Sequence, residues 1–358
     1  MPSEESRLIE TLRVFCVIAM MWVHVNPGLS SPSAVTSGDY TLVGAVFGNT
    51  LGRVSVALLS FVSGYLIWHR SRTVPLPQFA ATRFRSVLVP MLVWSALFIL
   101  FAVLKEPLTG VMAQKIEGID LDAASLANAW AGITGPTANL SLFFLRDLFV
   151  GSLILRAALP FVARAPIAVA AVALVAASGQ TLEPLIFRGP ILQFLVFGAV
   201  AARLGYTLTG IARPLVALPL GYLMSVASLA AYSLPASPLL HPLNLPALAM
   251  RAGVSFLVLA FTRATMAGSR RLALHRLGRH AYLAYLMHVP LFGVLWVLWR
   301  SLVGGPLEPS YAIFFLAGPV VAFAVAVPVG LALDRAPRVL QIALRGRIVR
   351  PERLKPED

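Results

Sequence analysis

The side chains best suited to chemistry in this sequence are arginines, histidines and one aspartate that lie within apolar stretches. Arg13 and His24 are eleven residues apart in the first of these, RVFCVIAMMWVH. Eleven residues make three helical turns plus about 20°, so both side chains project from one helix face, about 16 Å apart along its axis. Histidine can act as a general base near neutral pH, and arginine carries a fixed positive charge. Taken alone, the pair equally fits an arginine that reaches lipid headgroups and a histidine at the membrane interface.

Arg146 and Asp147 form a second charged site, within the apolar stretch LFFLRDLFVGSLI. Neighbouring residues point about 100° apart on a helix, so we expect these two not to pair with each other. Asp147 can instead orient His24 or pair with Arg53 or Arg13, and the sequence does not choose among these partners. A structural ion pair between helices is the competing interpretation, and it applies equally to Arg53.

His288 is the third ionisable site, and it lies near the middle of an apolar stretch, about 13 Å along a helix from Arg279. Tyr282 and Tyr285 occupy neighbouring faces of the same helix. His288 can serve as a second acid or base, or as a hydrogen-bond partner between helices. The other histidines lie at the ends of apolar stretches or in loops and are weaker candidates.

The elements that must position these side chains are membrane-spanning helices. The 358 residues are 58 % hydrophobic and 12 % charged and the mean hydropathy is +0.81, whereas a soluble domain carries about a quarter charged residues. Ten apolar blocks approach or exceed the ~20 residues that cross a bilayer, the fifth and sixth being short. The blocks are 8–26, 43–68, 84–104, 138–159, 165–179, 189–205, 212–233, 246–266, 281–300 and 310–333. We therefore predict an all-α polytopic membrane protein with about ten transmembrane helices.

The distribution of basic residues predicts the orientation of these helices. When loops are numbered alternately from a cytoplasmic N-terminus, 22 of the 29 Lys and Arg residues fall on the cytoplasmic side, as the positive-inside rule requires. Both termini are therefore expected in the cytoplasm. The net charge of +14 then reflects topology and anionic headgroups rather than nucleic-acid binding. We divide the chain into a transmembrane domain, 1–333, and a basic cytoplasmic tail, 334–358, expected to be disordered or to lie on the membrane surface.

The longest loop, 105–137, is expected to face outside. Its stretch DLDAASLANAW predicts a short helix with Asp120 or Asp122 as N-cap. The loop forms either a small lid over an external opening or a plain connector.

Several kinds of site are absent from the sequence patterns. No His-x-x-x-His pair, cysteine cluster or acid-rich span supplies metal ligands. Neither a P-loop nor a dinucleotide fingerprint is present. Ser63-Gly64 lacks the frame of a nucleophile elbow and fits close helix packing instead.

Five short motifs occur in order along the chain. The first has Arg, ten residues and then His; the second begins with Arg and ends in Ser-Gly-aromatic-Leu-Ile. Paired arginines before Pro, a Phe-Leu-Arg-Asp-Leu span, and a Gly, aromatic, Tyr-Leu, His, Pro span follow. They read RVFCVIAMMWVH (13–24), RVSVALLSFVSGYLI (53–67), RFRSVLVP (83–90), LFFLRDLFVGSLI (142–154) and GRHAYLAYLMHVPL (278–291). Over residues 8–333, this set resembles the acyltransferase-3 family of integral membrane acyltransferases.

The resemblance implies transfer of an acyl group, expected to be acetyl, from cytoplasmic acyl-CoA to a hydroxyl of an extracytoplasmic glycan or glycolipid, at the bacterial inner membrane. His24 is then the general base, with Arg13 and Asp147 as further catalytic residues. Arg83 and Arg85 hold the CoA phosphates at the cytoplasmic mouth, unless they are only positive-inside anchors. The residues expected to bind substrates are Arg83, Arg85, Arg53, Arg146, His288 and Tyr285. Acyl-CoA is expected as co-substrate, with no tightly bound cofactor or metal and no nucleic-acid partner.

Two other functions are compatible with the sequence. A transporter or exporter of an anionic solute would also use intramembrane Arg and His, although no internal repeat is evident. A sensor would bind acyl-CoA or glycan without turnover. The motifs specify neither the acceptor, the acyl group (acetyl, succinyl or longer), a covalent acyl-enzyme, nor the oligomeric state.

Overall fold

A computed structural model describes residues 3–25, 44–109, 122–178, 182–233, 244–268, 274–305, 308 and 310–348. Within these ranges every regular element is helical, in agreement with the predicted all-α class. Two π-helical segments, Gly44–Gly52 and Phe84–Leu88, run directly into α2 and α4, and a 3-10 turn, Trp22–His24, follows α1. The α-helices are α1 (Glu4–Met21), α2 (Arg53–Ser71), α3 (Leu76–Arg83), α4 (Val89–Thr109), α5 (Ala123–Ala131), α6 (Phe143–Arg164), α7 (Pro166–Ala176), α8 (Gly189–Arg203), α9 (Leu208–Ile211), α10 (Pro214–Ser233), α11 (Leu245–Gly268), α12 (Leu274–Leu302), α13 (Tyr311–Asp334) and α14 (Arg338–Arg345).

Six of the described helical segments are long and apolar enough to cross a membrane. They are Val46–Ser71, Leu76–Phe101, Pro214–Ala231, Leu245–Ala267, Leu274–Leu302 and Tyr311–Asp334. The helices α7 and α8 are apolar but have only 11 and 15 residues, as expected for the short fifth and sixth blocks. The helices α1 and α6 have 18 and 22 residues and carry several charges. The chain is thus a multi-pass membrane protein, while the number of ten spans and the orientation of the termini stay predictions.

Closely packed helix pairs form the core of the bundle. The helix α2 packs along α8, α1 along α12, and α12 along α13. At the first interface a Cβ on Gly64 would lie 1.8 Å from the carbonyl oxygen of Leu195, and a Cβ on Gly198 would lie 1.9 Å from that of Phe61. Small residues allow such backbone approach between membrane helices, so the packing interpretation of the Ser-Gly pair is confirmed for Gly64.

Hydrogen bonds at one end of the bundle join helix ends that the sequence assigned to a common side. Glu5, in the first turn of α1, accepts from the hydroxyl of Tyr65 at 2.8 Å and from the backbone N–H of Leu208 at 3.1 Å. Glu4 pairs with Arg263, near the end of α11, at 3.2 Å. We call this the terminal end: it holds the starts of α1 and α12 and the end of α2. The side of the membrane that it faces stays a prediction.

The start of the basic tail is ordered and packs at the terminal end. Arg345 of α14 is buried, pairs with Asp334 and donates to the side-chain oxygen of Gln341 at 2.8 Å. The indole N–H of Trp94 in α4 donates to the carbonyl of Leu344 at 3.0 Å. The tail was expected to be disordered or to lie on the membrane surface; residues 338–345 form a helix with buried, partnered polar groups, and the surface location stays a prediction. Residues 349–358 lie outside the described residues.

The predicted short helix in loop 105–137 is present as α5. Asp122 is its N-cap, and its Oδ1 accepts from the backbone N–H groups of Ala124 and Ser125 at 2.8 and 3.0 Å. The hydrogen bonds from Ser125 hold the pKa of Asp122 below its usual value, since they stabilise the carboxylate. The alternative cap, Asp120, lies outside the described residues, and a lid function for the loop stays a prediction.

The chain between α5 and α6 is irregular, and several of its polar residues are buried. Thr137 donates to the carbonyl of Asn139 at 2.7 Å, and the hydroxyl of Ser141 donates to the Asn139 side chain at 2.7 Å. All three residues are at most 3 % exposed. Irregular backbone at membrane depth is tolerated where it is buried in protein or lines a cavity, and Ser141 does line one.

Candidate active site

A cavity of about 480 Å³ lies opposite the terminal end, and its size is typical of a small-molecule site. Its walls come from the turn after α1, the starts of α2, α6, α8 and α11, and the end of α7. We call it the His24 cavity. Its polar and ionisable lining residues are His24, Arg53, Ser141, Ser178, Arg188, Gln193, Asn244 and Arg251.

Two histidines from distant parts of the sequence meet at the wall of this cavity. The rings of His24 and His288 have centroids 5.3 Å apart and planes inclined at 55°. His288 is fully buried, and its Nδ1 lies 2.5 Å from the carbonyl oxygen of Tyr285. In a neutral ring this contact assigns the proton to Nδ1 and leaves Nε2 as the basic nitrogen. Adjacent imidazoles of this kind can accept and hold a proton, which is what general base catalysis needs.

Arg13 does not share the cavity with His24. His24 belongs to the 3-10 turn, and three steps of that tighter helix place it about 80° rather than about 20° around the axis from Arg13. The guanidinium of Arg13 pairs with Glu10 at 2.5 Å, near the terminal end. The prediction of one shared face is therefore wrong, because the helix changes type before it reaches His24.

Asp147 holds the loop that precedes α8. It is completely buried, and its Oδ1 accepts from the guanidinium of Arg146 at 2.8 Å. Its Oδ2 accepts from the backbone N–H of Arg188 at 2.8 Å. The expectation that Arg146 and Asp147 do not pair is wrong, because the long arginine side chain crosses the 100° between neighbouring positions. The hydrogen bonds described for Asp147 involve none of the three partners that the sequence suggested.

Arg146 also binds this loop, and it does not line the cavity. Its guanidinium donates to the carbonyls of Leu185 at 2.8 Å and Pro184 at 2.5 Å. It also lies over the ring of Phe187, 4.7 Å from the centroid. These contacts tie Arg146 to the loop and not to the cavity, whereas the sequence suggested substrate binding.

Arg188 and Arg251 line the cavity and were missed as site residues. Arg251 lies within the apolar segment Leu245–Ala267, which is the signal that made other intramembrane arginines candidates. Arg188 immediately precedes α8, and the sequence treated it as a loop residue. No local pattern marks it, because the contact with Asp147 that fixes its backbone spans 41 positions.

Gln193 adds a buried amide to the same wall. Its side chain is 1 % exposed, and its Nε2 donates to the carbonyl of Leu174 at 3.0 Å. Among the described residues its Oε1 receives no hydrogen bond.

Aromatic rings on α12 run from the His24 cavity toward the terminal end. Tyr285 stacks on His288 with centroids 5.7 Å apart, and Tyr282 stacks on Tyr285 at 6.4 Å. The Tyr285 hydroxyl donates to the carbonyl of Ser141. Tyr285, predicted to bind substrate, is buried beneath the cavity, where it supports both His288 and Ser141.

Three arginines gather near the other end of this row of rings. Arg83 is half-buried, with its guanidinium 5.3 Å from the ring centre of Phe79, and it lies within electrostatic range of Tyr282 and Arg13. Arg13 is also within range of Arg347. We call Arg13, Arg83 and Arg347 the Arg83 cluster. Tyr282 and His288 are six residues apart, so the cluster and the cavity differ by about 9 Å along α12.

Arg85 differs from Arg83. It is exposed, and no hydrogen bond or ion pair of its side chain is found in the described ranges. Residues two positions apart point to different sides of a helix, so the two arginines differ in environment, and their joint role in binding CoA stays a prediction.

The described residues contain no group of three or more His, Cys, Asp or Glu that could hold a metal ion. A ligand that carries phosphates would be held by the guanidinium groups of the Arg83 cluster, since arginine matches phosphate geometry.

Comparison with known proteins agrees with the motifs. A family model of the acyltransferase-3 type, described as an acyltransferase domain, matches residues 7–333. The succinoglycan biosynthesis protein ExoH of Rhizobium meliloti (strain 1021) is 28 % identical over 346 residues, which cover 91 % of this chain and 88 % of that protein. No solved structure matches the chain.

Proposed function

Because the chain belongs to the acyltransferase-3 family, we propose that it transfers an acyl group, expected to be acetyl, from cytoplasmic acyl-CoA to a hydroxyl of an extracytoplasmic glycan or glycolipid. Family membership and the apolar helices establish a multi-pass membrane acyltransferase. The relative that takes part in succinoglycan biosynthesis supports a polysaccharide acceptor and a location in the bacterial inner membrane.

The observation that carries the proposal is the contact between His24 and His288 at the wall of a cavity lined by arginines. In the proposed reaction His24 accepts the proton of the acceptor hydroxyl while the hydroxyl oxygen attacks the thioester carbonyl carbon. A C–O bond forms, and Arg53 stabilises the oxyanion that develops. The C–S bond then breaks, and CoA leaves as a thiolate that takes the proton from His24.

His288 acts in this scheme through His24. Its ring is fixed by the Tyr285 carbonyl and by stacking on Tyr285, so it keeps His24 in place and shares the positive charge that His24 gains. Asp147 and Arg146 act at longer range, because they hold the loop that carries Arg188.

The Arg83 cluster is the proposed site for the CoA phosphates. The charge of Arg83 is flanked by that of Arg13, which pairs with Glu10, and Arg347 adds a third cation from the segment after α14. Multiple arginines suit a donor that carries several phosphates. The pantetheine arm of CoA would then cross the level of Tyr282 and Tyr285 and bring the thioester to His24.

The proposal is tested by transfer of labelled acetyl groups from acetyl-CoA to glycan in membranes that contain the full-length protein. We expect His24→Ala to lower the rate by about 10²- to 10⁴-fold, as for loss of a general base. The matched control is His275→Ala, at the start of α12 and outside the cavity lining, which should retain wild-type transfer. Undiminished transfer by a well-expressed His24→Ala protein would remove His24 from the mechanism. Solute flux without acyl-CoA turnover would instead favour the transporter.

A further inference from the structure

The His24 cavity carries an excess of positive charge. Arg53, Arg188 and Arg251 all line it, and the described lining residues include neither Asp nor Glu. Arg53 and Arg188 are exposed, and Arg251 is half-buried. Cationic side chains within a membrane domain are costly and commonly mark the path of an ionic substrate.

The nearest acid does not neutralise this charge. Asp147 is fully buried, and its two oxygens are occupied by the guanidinium of Arg146 and the backbone N–H of Arg188. Within the described ranges the guanidinium groups of Arg53 and Arg188 form no ion pair, and that of Arg188 lies over the ring of Phe143 at 5.5 Å. Both cations are therefore open to a ligand.

The cations are also held in place before a ligand arrives. Arg53 is the first residue of α2, which packs along α8, and Arg188 immediately precedes the start of α8. Asp147 fixes the backbone of Arg188 directly. The start of α8 adds the positive end of a helix dipole on the same wall. The wall thus offers guanidinium groups for an anion.

We propose that the His24 cavity selects a reactant that carries a carboxylate close to the reacting atoms. This inference rests on the proposed acyl transfer and specifies its substrate class. The carboxylate has two possible sources: the free end of a dicarboxylic acyl group such as succinyl, or an acidic sugar in the acceptor. Arginine binds either one with paired, charge-assisted hydrogen bonds.

The test uses purified full-length protein in nanodiscs of neutral lipid and measures kcat/KM for four donor–acceptor pairs. The donors are acetyl-CoA and succinyl-CoA; the acceptors are an oligosaccharide with glucuronic acid and the same oligosaccharide after reduction of its carboxyl groups. The measured quantity is the ratio of kcat/KM for a carboxylated reactant to that for its neutral counterpart. We expect this ratio to exceed one in the wild type and to fall about tenfold or more in Arg53→Gln and Arg188→Gln, because each variant loses a charged hydrogen bond.

The two sources give different patterns. If the two arginine variants lower the ratio of kcat/KM for succinyl-CoA to that for acetyl-CoA, with either acceptor, the cavity binds the acyl carboxylate. If they lower the ratio of kcat/KM for the acidic oligosaccharide to that for the reduced one, with either donor, the cavity binds the acidic sugar. Arg300→Gln, an exposed arginine at the far end of α12 and outside the cavity lining, is the matched control and should keep the wild-type ratio. Equal losses for all four pairs would contradict the inference.

A binding measurement separates this inference from the proposed function. Calorimetry with succinate and glucuronate, against their methyl esters, reports on the cavity without any acyl transfer. If no donor is turned over but the free acids bind and Arg53→Gln weakens them at least tenfold, the acyl-transfer proposal fails and the anion site stands. If transfer occurs while neither the ratio nor the binding distinguishes acid from ester, the anion site is wrong and the transferase stands.

Discussion

The two ends of the helical bundle balance their arginines in different ways. At the terminal end, arginines are paired with acids within hydrogen-bond distance, in the pairs Arg13–Glu10, Arg263–Glu4 and Arg345–Asp334. At the opposite end, Arg53 and Arg188 face the His24 cavity, and the buried Asp147 is already occupied by Arg146 and by the loop. The comparison separates arginines that pair with acids from arginines that line a cavity without an acidic partner among the described residues.

Arg83 is an exception to this division between the two ends. It lies at the terminal end, yet it forms no ion pair in the described part of the chain, and the cation Arg13 lies within its electrostatic range. Glu10 already pairs with Arg13, which leaves Arg83 without an acidic partner among the described residues, and an anion bound beside it would be stabilised. This is the electrostatic argument for a donor site at that end.

The two buried histidines of α12 allow the two ends of the bundle to be compared directly. His288 contacts His24, whereas His280 lies toward the terminal end and accepts from the Nε of Arg279 at 2.9 Å. We expect His288→Gln to lower kcat by about 100-fold, since the general base loses its partner. His280→Gln should change kcat less than about threefold, because it lies away from the cavity. Steady-state kinetics on protein of matched expression distinguishes the two, and equal losses would assign both histidines to packing.

Asp147 offers the largest expected effect on stability. Asp147→Asn leaves the guanidinium of Arg146 beside a neutral group in a site where both side chains are largely buried. Breaking a buried pair in this way costs about 3–5 kcal/mol, and the loop that bears Arg188 should loosen with it. Thermal unfolding in detergent measures the loss.

The matched control for that variant is Asp122→Asn. Asp122 is an exposed N-cap, and asparagine caps helices as well as aspartate does. Its melting temperature should stay at the wild-type value. A similar decrease in melting temperature for both variants would contradict the prediction that the buried Asp147 pair contributes more stability than the exposed cap.

How far the sequence predicts this site depends on the range of the interaction concerned. Intramembrane charge identified His24, Arg53, Asp147 and His288 as candidates, because such groups are costly in lipid wherever the helices pack. The contact of His24 with His288 was not predictable, since it depends on how α1 lies against α12. Arg188 was missed because its backbone is placed by an aspartate 41 positions away.

Local helix geometry accounts for the remaining difference. Composition and block length predicted the helical class and the short seventh and eighth helices. The same-face argument for Arg13 and His24 assumed an uninterrupted α-helix. The 3-10 turn at Trp22–His24 and the π-helical segment Phe84–Leu88 each change the angle per residue, and apolar sequence carries no clear signal for either.

The α2–α8 interface tests whether the His24 cavity depends on helix packing. A methyl group at Gly64 would meet the backbone of Leu195, which cannot move without shifting α8. Gly64→Ala should destabilise the protein by about 1–3 kcal/mol, as overpacking does, and should weaken acceptor binding because α2 and α8 carry Arg53 and Gln193. Gly318→Ala is the control, since a Cβ there has only ordinary contacts at 3.8 Å and beyond. Identical melting temperatures for the two variants would contradict the tight packing of α2 on α8.

The smallest expected effects are on KM for acyl-CoA, in variants of Arg83 and Arg85. They test whether Arg83 binds the donor. Arg83→Gln should raise KM for acyl-CoA by about tenfold, because the half-buried guanidinium loses a charged hydrogen bond to phosphate. Arg85→Gln should raise it by about twofold or less, since an exposed cation acts on phosphate through screened solvent. Neither variant should alter the preference for a carboxylated reactant, which belongs to the opposite end. Titration of acyl-CoA at saturating acceptor measures both, and an Arg85 effect as large as that of Arg83 would show that the donor binds at the protein surface rather than among Arg13, Arg83 and Arg347.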